Sequence, residues 1–152
     1  MFLEIATIVT FVAWVTSGTG KSAPASVPNQ LKAKGQAYKD HIKQADRIMS
    51  QARTIRASNS KNHGGNQKLR SLYTSAADHA FKANVELSSV YTTLQGSINR
   101  MQHKINNSSG AERKELIRKI KPARAAMAKL LARVQHAKRF TGDVNRRKRN
   151  LR

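Results

Sequence analysis

Apolar positions fall into four groups along the chain. Residues 2–15, FLEIATIVTFVAWV, are almost wholly apolar, and Glu4 is the only charged side chain before Lys21, so residues 5–20 are 16 in a row without charge. After a polar break, Leu31, Gly35, Tyr38, Ile42, Ala45, Met49 and Ala52 recur at alternating spacings of 4 and 3. That is the seam of one helix face. A longer stripe follows at Leu69, Leu72, Ala76, Ala80, Ala83, Leu87, Val90, Leu94, Ile98, Met101 and Ile105, flanked by Tyr73 and Tyr91. The last seam is Leu116, Ile120, Ala123, Met127, Leu130, Val134 and Ala137, again spaced 4 and 3. No stretch alternates at period 2 for long enough to propose a strand.

Punctuation between the groups sets the expected boundaries. Residues 17–30, SGTGKSAPASVPNQ, read as a flexible linker, because Gly18, Gly20, Pro24 and Pro28 break a helix. Asn29 is a candidate N-cap, and the first basic helix should end near Ala57, before Gly64-Gly65. The second should begin near Gln67 and run to Asn106-Asn107-Ser108-Ser109-Gly110, with Gly96 as a weak point. Ser109 followed by Glu112 predicts a capping box at the start of the third. Pro122 should interrupt and kink that helix, and residues 141–152, TGDVNRRKRNLR, read as a basic tail.

The first apolar group admits three readings. A signal peptide lacks its positive n-region here, and Ala23-Pro24-Ala25 is a poor cleavage pattern. A core helix packed against the rest of the chain is the second. The favoured reading is a membrane helix. Sixteen residues rise about 24 Å, and adding Met1 to Glu4 approaches the about 20 residues that a span requires. Phe2, Leu3, Ile5, Ile8, Val9, Phe11, Val12, Trp14 and Val15 would be the anchor, with Trp14 at one interface. All 29 Lys and Arg residues follow this segment. By the positive-inside rule the C-terminal side would be cytoplasmic, or internal to a virion.

The expected fold is therefore all-α: an N-terminal membrane helix followed by a three-helix bundle or antiparallel coiled coil with a basic tail. The corresponding segments are an anchor at 1–16, a linker at 17–30, a helical bundle at 31–140 and a tail at 141–152. The seams are rich in alanine, which lets helices approach closely but buries little area. A bundle of that kind gains from a membrane, a nucleic acid or further copies of itself.

Charge changes the picture most. The chain holds 29 basic and 8 acidic residues in 152, a net charge of +21. Residues 111–152 have 15 basic and 3 acidic side chains, or +12. The candidate polyanion-binding residues are Arg113, Lys114, Arg118, Lys119, Lys121, Arg124, Lys129, Arg133, Lys138 and Arg139, with Arg146, Arg147, Lys148 and Arg149 of the tail. A merely solvated face mixes both signs, whereas here Glu112 and Glu115 oppose ten cations along the third helix. The expected partners are nucleic acid, bound without sequence specificity, and anionic membrane lipids. No zinc-finger spacing, aromatic RNA-binding motif or clear helix-turn-helix is present to read bases.

Little in the chain suggests catalysis. Cysteine is absent, which excludes disulfides, thiolate metal sites and cysteine nucleophiles. His41, His63, His79, His103 and His136 form no metal-ligand spacing. Gly18-Thr19-Gly20-Lys21-Ser22 looks like the end of a phosphate-binding loop, but Val15 stands where the first glycine belongs, so a hinge is the better reading. No enzyme, metal or cofactor is expected. An apolar segment, a hinge and a basic helical body together suit a structural protein of a virion or phage that tethers a membrane to nucleic acid. The alternatives are a soluble, ribosome-associated RNA-binding protein and a cationic lysis or penetration factor.

Overall fold

The computed structural model describes residues 4–18, 21–59 and 63–151. Four helices follow in order: α1 (Ile5–Val15), α2 (Asn29–Asn59), α3 (His63–Asn106) and α4 (Gly110–Arg149). Among the described residues there is no strand, so the all-α class holds.

The three long helices coincide with the three seams, because each seam is an apolar stripe that must be buried. Leu31, Tyr38, Ala45, Met49 and Ala52 of α2 are buried, as are Leu69, Ala76, Ala80, Ala83, Leu87, Val90, Leu94, Ile98 and Ile105 of α3. On α4 the buried set is Ile120, Ala123, Ala126, Met127, Leu130, Ala137 and Val144. The pairings are antiparallel. Lys34 bonds Ser89, while His41, farther along α2, meets His79, earlier on α3. Connections this short leave the chain no alternative. Helix α3 is therefore central, with α2 and α4 packed on it.

Helix α1 differs from the expected span. It has 11 residues, and no helix among the described residues is long and apolar enough to cross a membrane. Of the expected anchor, Phe2 and Leu3 lie outside the described residues. Ile8, Phe11, Val12, Trp14 and Val15 are buried, and Ile5 and Val9 pack partly buried against the same core. The helix lies against α4 and α2. The physical reason is the shortness of α2. Lys34, near its start, already sits at Ser89 of α3, so Ile105 and Ile120 lie beyond its first residue, and α1 brings large side chains to the cluster that holds them. Each one fully buried stabilises by roughly 1.5–3 kcal/mol. Val27 of the linker joins the same cluster.

Four boundary expectations also change. Gly64 and Gly65 lie inside α3, which begins at His63 rather than near Gln67. Pro122 lies within α4. It is on the exposed face, so the carbonyl that loses its donor meets water. Residues 141–149 continue α4 instead of forming a tail, since Val144, Phe140 and Leu151 close a second cluster with Met49, Ala52, Leu69 and Tyr73. Ser109 is at the N-cap of α4 but makes no side-chain capping bond. Gly110 follows with φ of 62°. This left-handed turn places the chain outside the helical geometry that a capping box needs.

Candidate polyanion interface

Helix α4 is a rod of 40 residues, about 60 Å long by its rise. Its apolar stripe faces α3 and α1, which directs the other positions outward. Of the 14 basic side chains proposed for the interface, 13 are exposed and Lys148 is half-buried. The exposed cations therefore run the whole length of α4.

Several of them have partners within the chain. Arg118 forms an ion pair with Glu115 one turn away. The hydrogen bond from Arg118 is the main reason that the Glu115 carboxyl is held below its usual pKa. Arg146 lies 3.4 Å from Asp143, and Arg124 donates to Gln102 of α3. Arg133 donates to the Thr16 carbonyl at 3.1 Å. That contact serves the fold as well as the surface. Lys39 of α2 donates to the Trp14 carbonyl at 2.9 Å and the Gly18 carbonyl at 3.3 Å. Together Lys39 and Arg133 place positive charge at the C-terminal end of α1, where the helix dipole is negative. Burial and the neighbouring Lys21 lower the pKa of Lys39, and the carbonyls it donates to offset that cost.

The fold adds two cations from outside α4, Arg56 and Arg70. At the end formed by the C-terminus of α2 and the start of α3, Arg56 and Arg147 line a groove of about 380 Å³ with Asn66, Leu69, Tyr73, Asn150 and Leu151. Beside it, Arg70 and Lys148 line a polar groove of about 680 Å³ with Gln67, Ser71, Thr74, Ser75 and Asp78. Arg56 and Arg70 belong to different helices, so no spacing along the chain marks them as neighbours. The fold-back between α2 and α3 brings them to the C-terminal end of α4.

At the opposite end, a cavity of about 600 Å³ is lined by Ile5, Ala6, Met101, Ile105, Leu116 and Ile120, with Glu4, Lys104 and Lys119. Its apolar residues include the buried Ile105 and Ile120, while both lysines are exposed.

No family model, curated protein or solved structure matches this chain. Among the described residues, no three His, Asp or Glu side chains come together as a metal group. The histidines nevertheless include one pair invisible in the sequence spacing: His41 and His79 meet across α2 and α3. Gly18 and Lys21 flank residues 19–20, which lie outside the described residues. The Trp14 indole donates to the Lys21 carbonyl at 2.9 Å, which ties this end of the linker to α1.

Proposed function

We propose that this is a nucleic-acid-binding protein that grips phosphates along α4 and at the cationic end formed with Arg56 and Arg70. The observation that carries this reading is the outward display of 13 of the 14 α4 cations. So many like charges along one rod repel one another unless an anion lies alongside. A phosphate backbone supplies that anion at regular spacing, and its contacts position the partner without reading sequence. The burial of α1 favours this reading over the membrane tether, because the apolar side chains of the expected anchor are used within the core.

The test is charge reversal. Changing Arg113, Lys121, Lys129 and Lys138 to Glu alters four exposed positions for which no internal partner is described. Fluorescence anisotropy with unrelated RNA and DNA oligonucleotides should show affinity lost for all sequences alike. Unchanged affinity would reduce the cationic face to a solvated surface.

A second reading has its own support in the cavity at the N-terminal end of α1. Apolar walls with Lys104 and Lys119, which outnumber Glu4, suit an amphipathic anion, such as a lipid with a negative headgroup. A virion tether or a membrane-active factor would use the protein in this way. Sedimentation with anionic and with zwitterionic vesicles separates this reading from the first. Binding to anionic vesicles that is lost on changing Lys104 and Lys119 to Glu, but kept in the α4 variant, would favour lipid.

A further inference from the structure

His41 on α2 and His79 on α3 bring their Nδ1 atoms to 3.0 Å across the helix interface. The ring centroids are 5.2 Å apart and the planes are tilted by 39°. Both side chains are half-buried. One Nδ1 must carry a hydrogen and the other present its lone pair, because two bare lone pairs would repel at this distance. The same separation suits two ligands of one metal ion once the rings turn, since centroids 5.2 Å apart set the two Nδ1 nearly in line with each other. With metal–nitrogen bonds of about 2.0–2.1 Å, ligands at a right angle stand about 2.9 Å apart and tetrahedral ligands about 3.3–3.4 Å apart.

We propose that His41 and His79 form a two-histidine site for a late first-row divalent transition metal, Ni²⁺, Cu²⁺ or Zn²⁺, which staples α2 to α3. The site is distinct from the cationic interface and does not depend on the nucleic-acid reading. Its two ligands come from long helices held by core packing. Ala45 lies one turn beyond His41, Ala76 and Ala83 lie one turn either side of His79, and all three are fully buried. Small side chains at these positions let the helices approach closely, and the imidazoles meet head to head.

Coordination leaves both rings neutral. The hydrogen on the donating Nδ1 moves through water to Nε2 of the same ring, and both rings turn so that their Nδ1 lone pairs face the metal. Water fills the remaining positions, since no third His, Asp or Glu among the described residues completes the group. The net charge of +21 opposes any cation. Binding must therefore come from the metal–imidazole bonds, which selects late transition metals over Mg²⁺ and Ca²⁺.

The test is titration of the full chain with Ni²⁺ and Zn²⁺ by calorimetry. One ion per chain is expected at the tight site. His41→Gln and His79→Gln should each weaken it by more than the about ten- to hundredfold that outer partners of metal ligands command. Thermal unfolding should shift upward with Zn²⁺ in the parent and not in the double variant. A measurement without mutation guards against misfolded variants. Sub-stoichiometric Cu²⁺ should broaden NMR signals around His41 and His79 before those around His103 and His136. If the parent binds no metal, if the double variant keeps the parent's tight site, or if broadening starts at other histidines, the pair is only a hydrogen-bonded helix contact.

Discussion

Gly35 on α2 receives the aromatic side of α1. A Cβ placed there would lie 2.5 Å from Trp14 Cζ3 and 3.0 Å from Phe11 Cε2. Phe11 and Trp14 are themselves in edge contact, with ring centroids 5.9 Å apart, so neither ring can yield alone. Gly35→Ala is expected to lower stability by about 1–3 kcal/mol, the cost of overpacking a tight core, although alanine is the better helix former. Urea unfolding followed by Trp14 fluorescence would measure it. Next along α2, buried Tyr38 has its pKa raised above 10.0, chiefly by burial, with Arg133 opposing and Asp46 adding to the rise. Below the unfolded pKa both states keep the phenolic proton and stability is unaffected. Above it the unfolded chain ionises first, so unfolding releases a proton and stability falls as pH rises through the folded pKa. Tyr38→Phe should flatten that part of the loss. Urea midpoints of the two proteins from about pH 9 to about pH 11 would show it.

At the scale of elements, α4 carries both the core and the candidate interface. Its apolar stripe was legible from Leu116 to Ala137, since a spacing of 4 and 3 has one physical solution, a helix with one buried face. At Pro122, inside that legible stripe, an interruption was expected and the helix continues. Its continuation into residues 141–149 was not legible, because local propensity argues for a break there and the burial of Val144 against α2 and α3 overrides it. Pro122 thus lies in a helix on an exposed face, at a position where alanine is better by up to about 3 kcal/mol. Pro122→Ala is expected to raise stability by an amount within that bound, read as a higher thermal midpoint. A lower midpoint would mean that the proline shapes α4 against its neighbours. Helix α1 departs from the expected span for a related reason. An apolar stretch of this length lies between a short span and a core helix, and only its burial against α2 and α4 tells the two apart.

Over the whole molecule, core and charge occupy opposite sides of the same helices. The last four basic residues of α4 illustrate the consequence for experiment. Truncating before Thr141 would remove Val144 and Leu151 from the second core cluster along with the charge. Replacing Arg146, Arg147, Lys148 and Arg149 by Gln keeps that cluster and removes the charge, together with the exposed Arg146–Asp143 ion pair. If each contacts one phosphate, the slope of log affinity against log salt should flatten by roughly 2.8 on single strands and 3.6 on duplex DNA. Anisotropy at several salt concentrations would test this. An unchanged slope would place the contacts nearer the middle of α4.

The sequence by itself determined the helical class, the three long seams and the excess of positive charge toward the C-terminus. These follow from periodicity and composition, which are properties of the chain taken in order. The outward display of the α4 cations follows from the same seam, because a buried stripe leaves the flanking positions to solvent. Only the tertiary structure decided where α1 goes, since its alternative partners, a lipid phase or the open side of the helical bundle, are equally apolar. It also brought Arg56 and Arg70 beside Arg147 and Lys148, and His41 against His79. Contacts between helices depend on which residues the connections fold back to the same height, and no spacing within one helix carries that information.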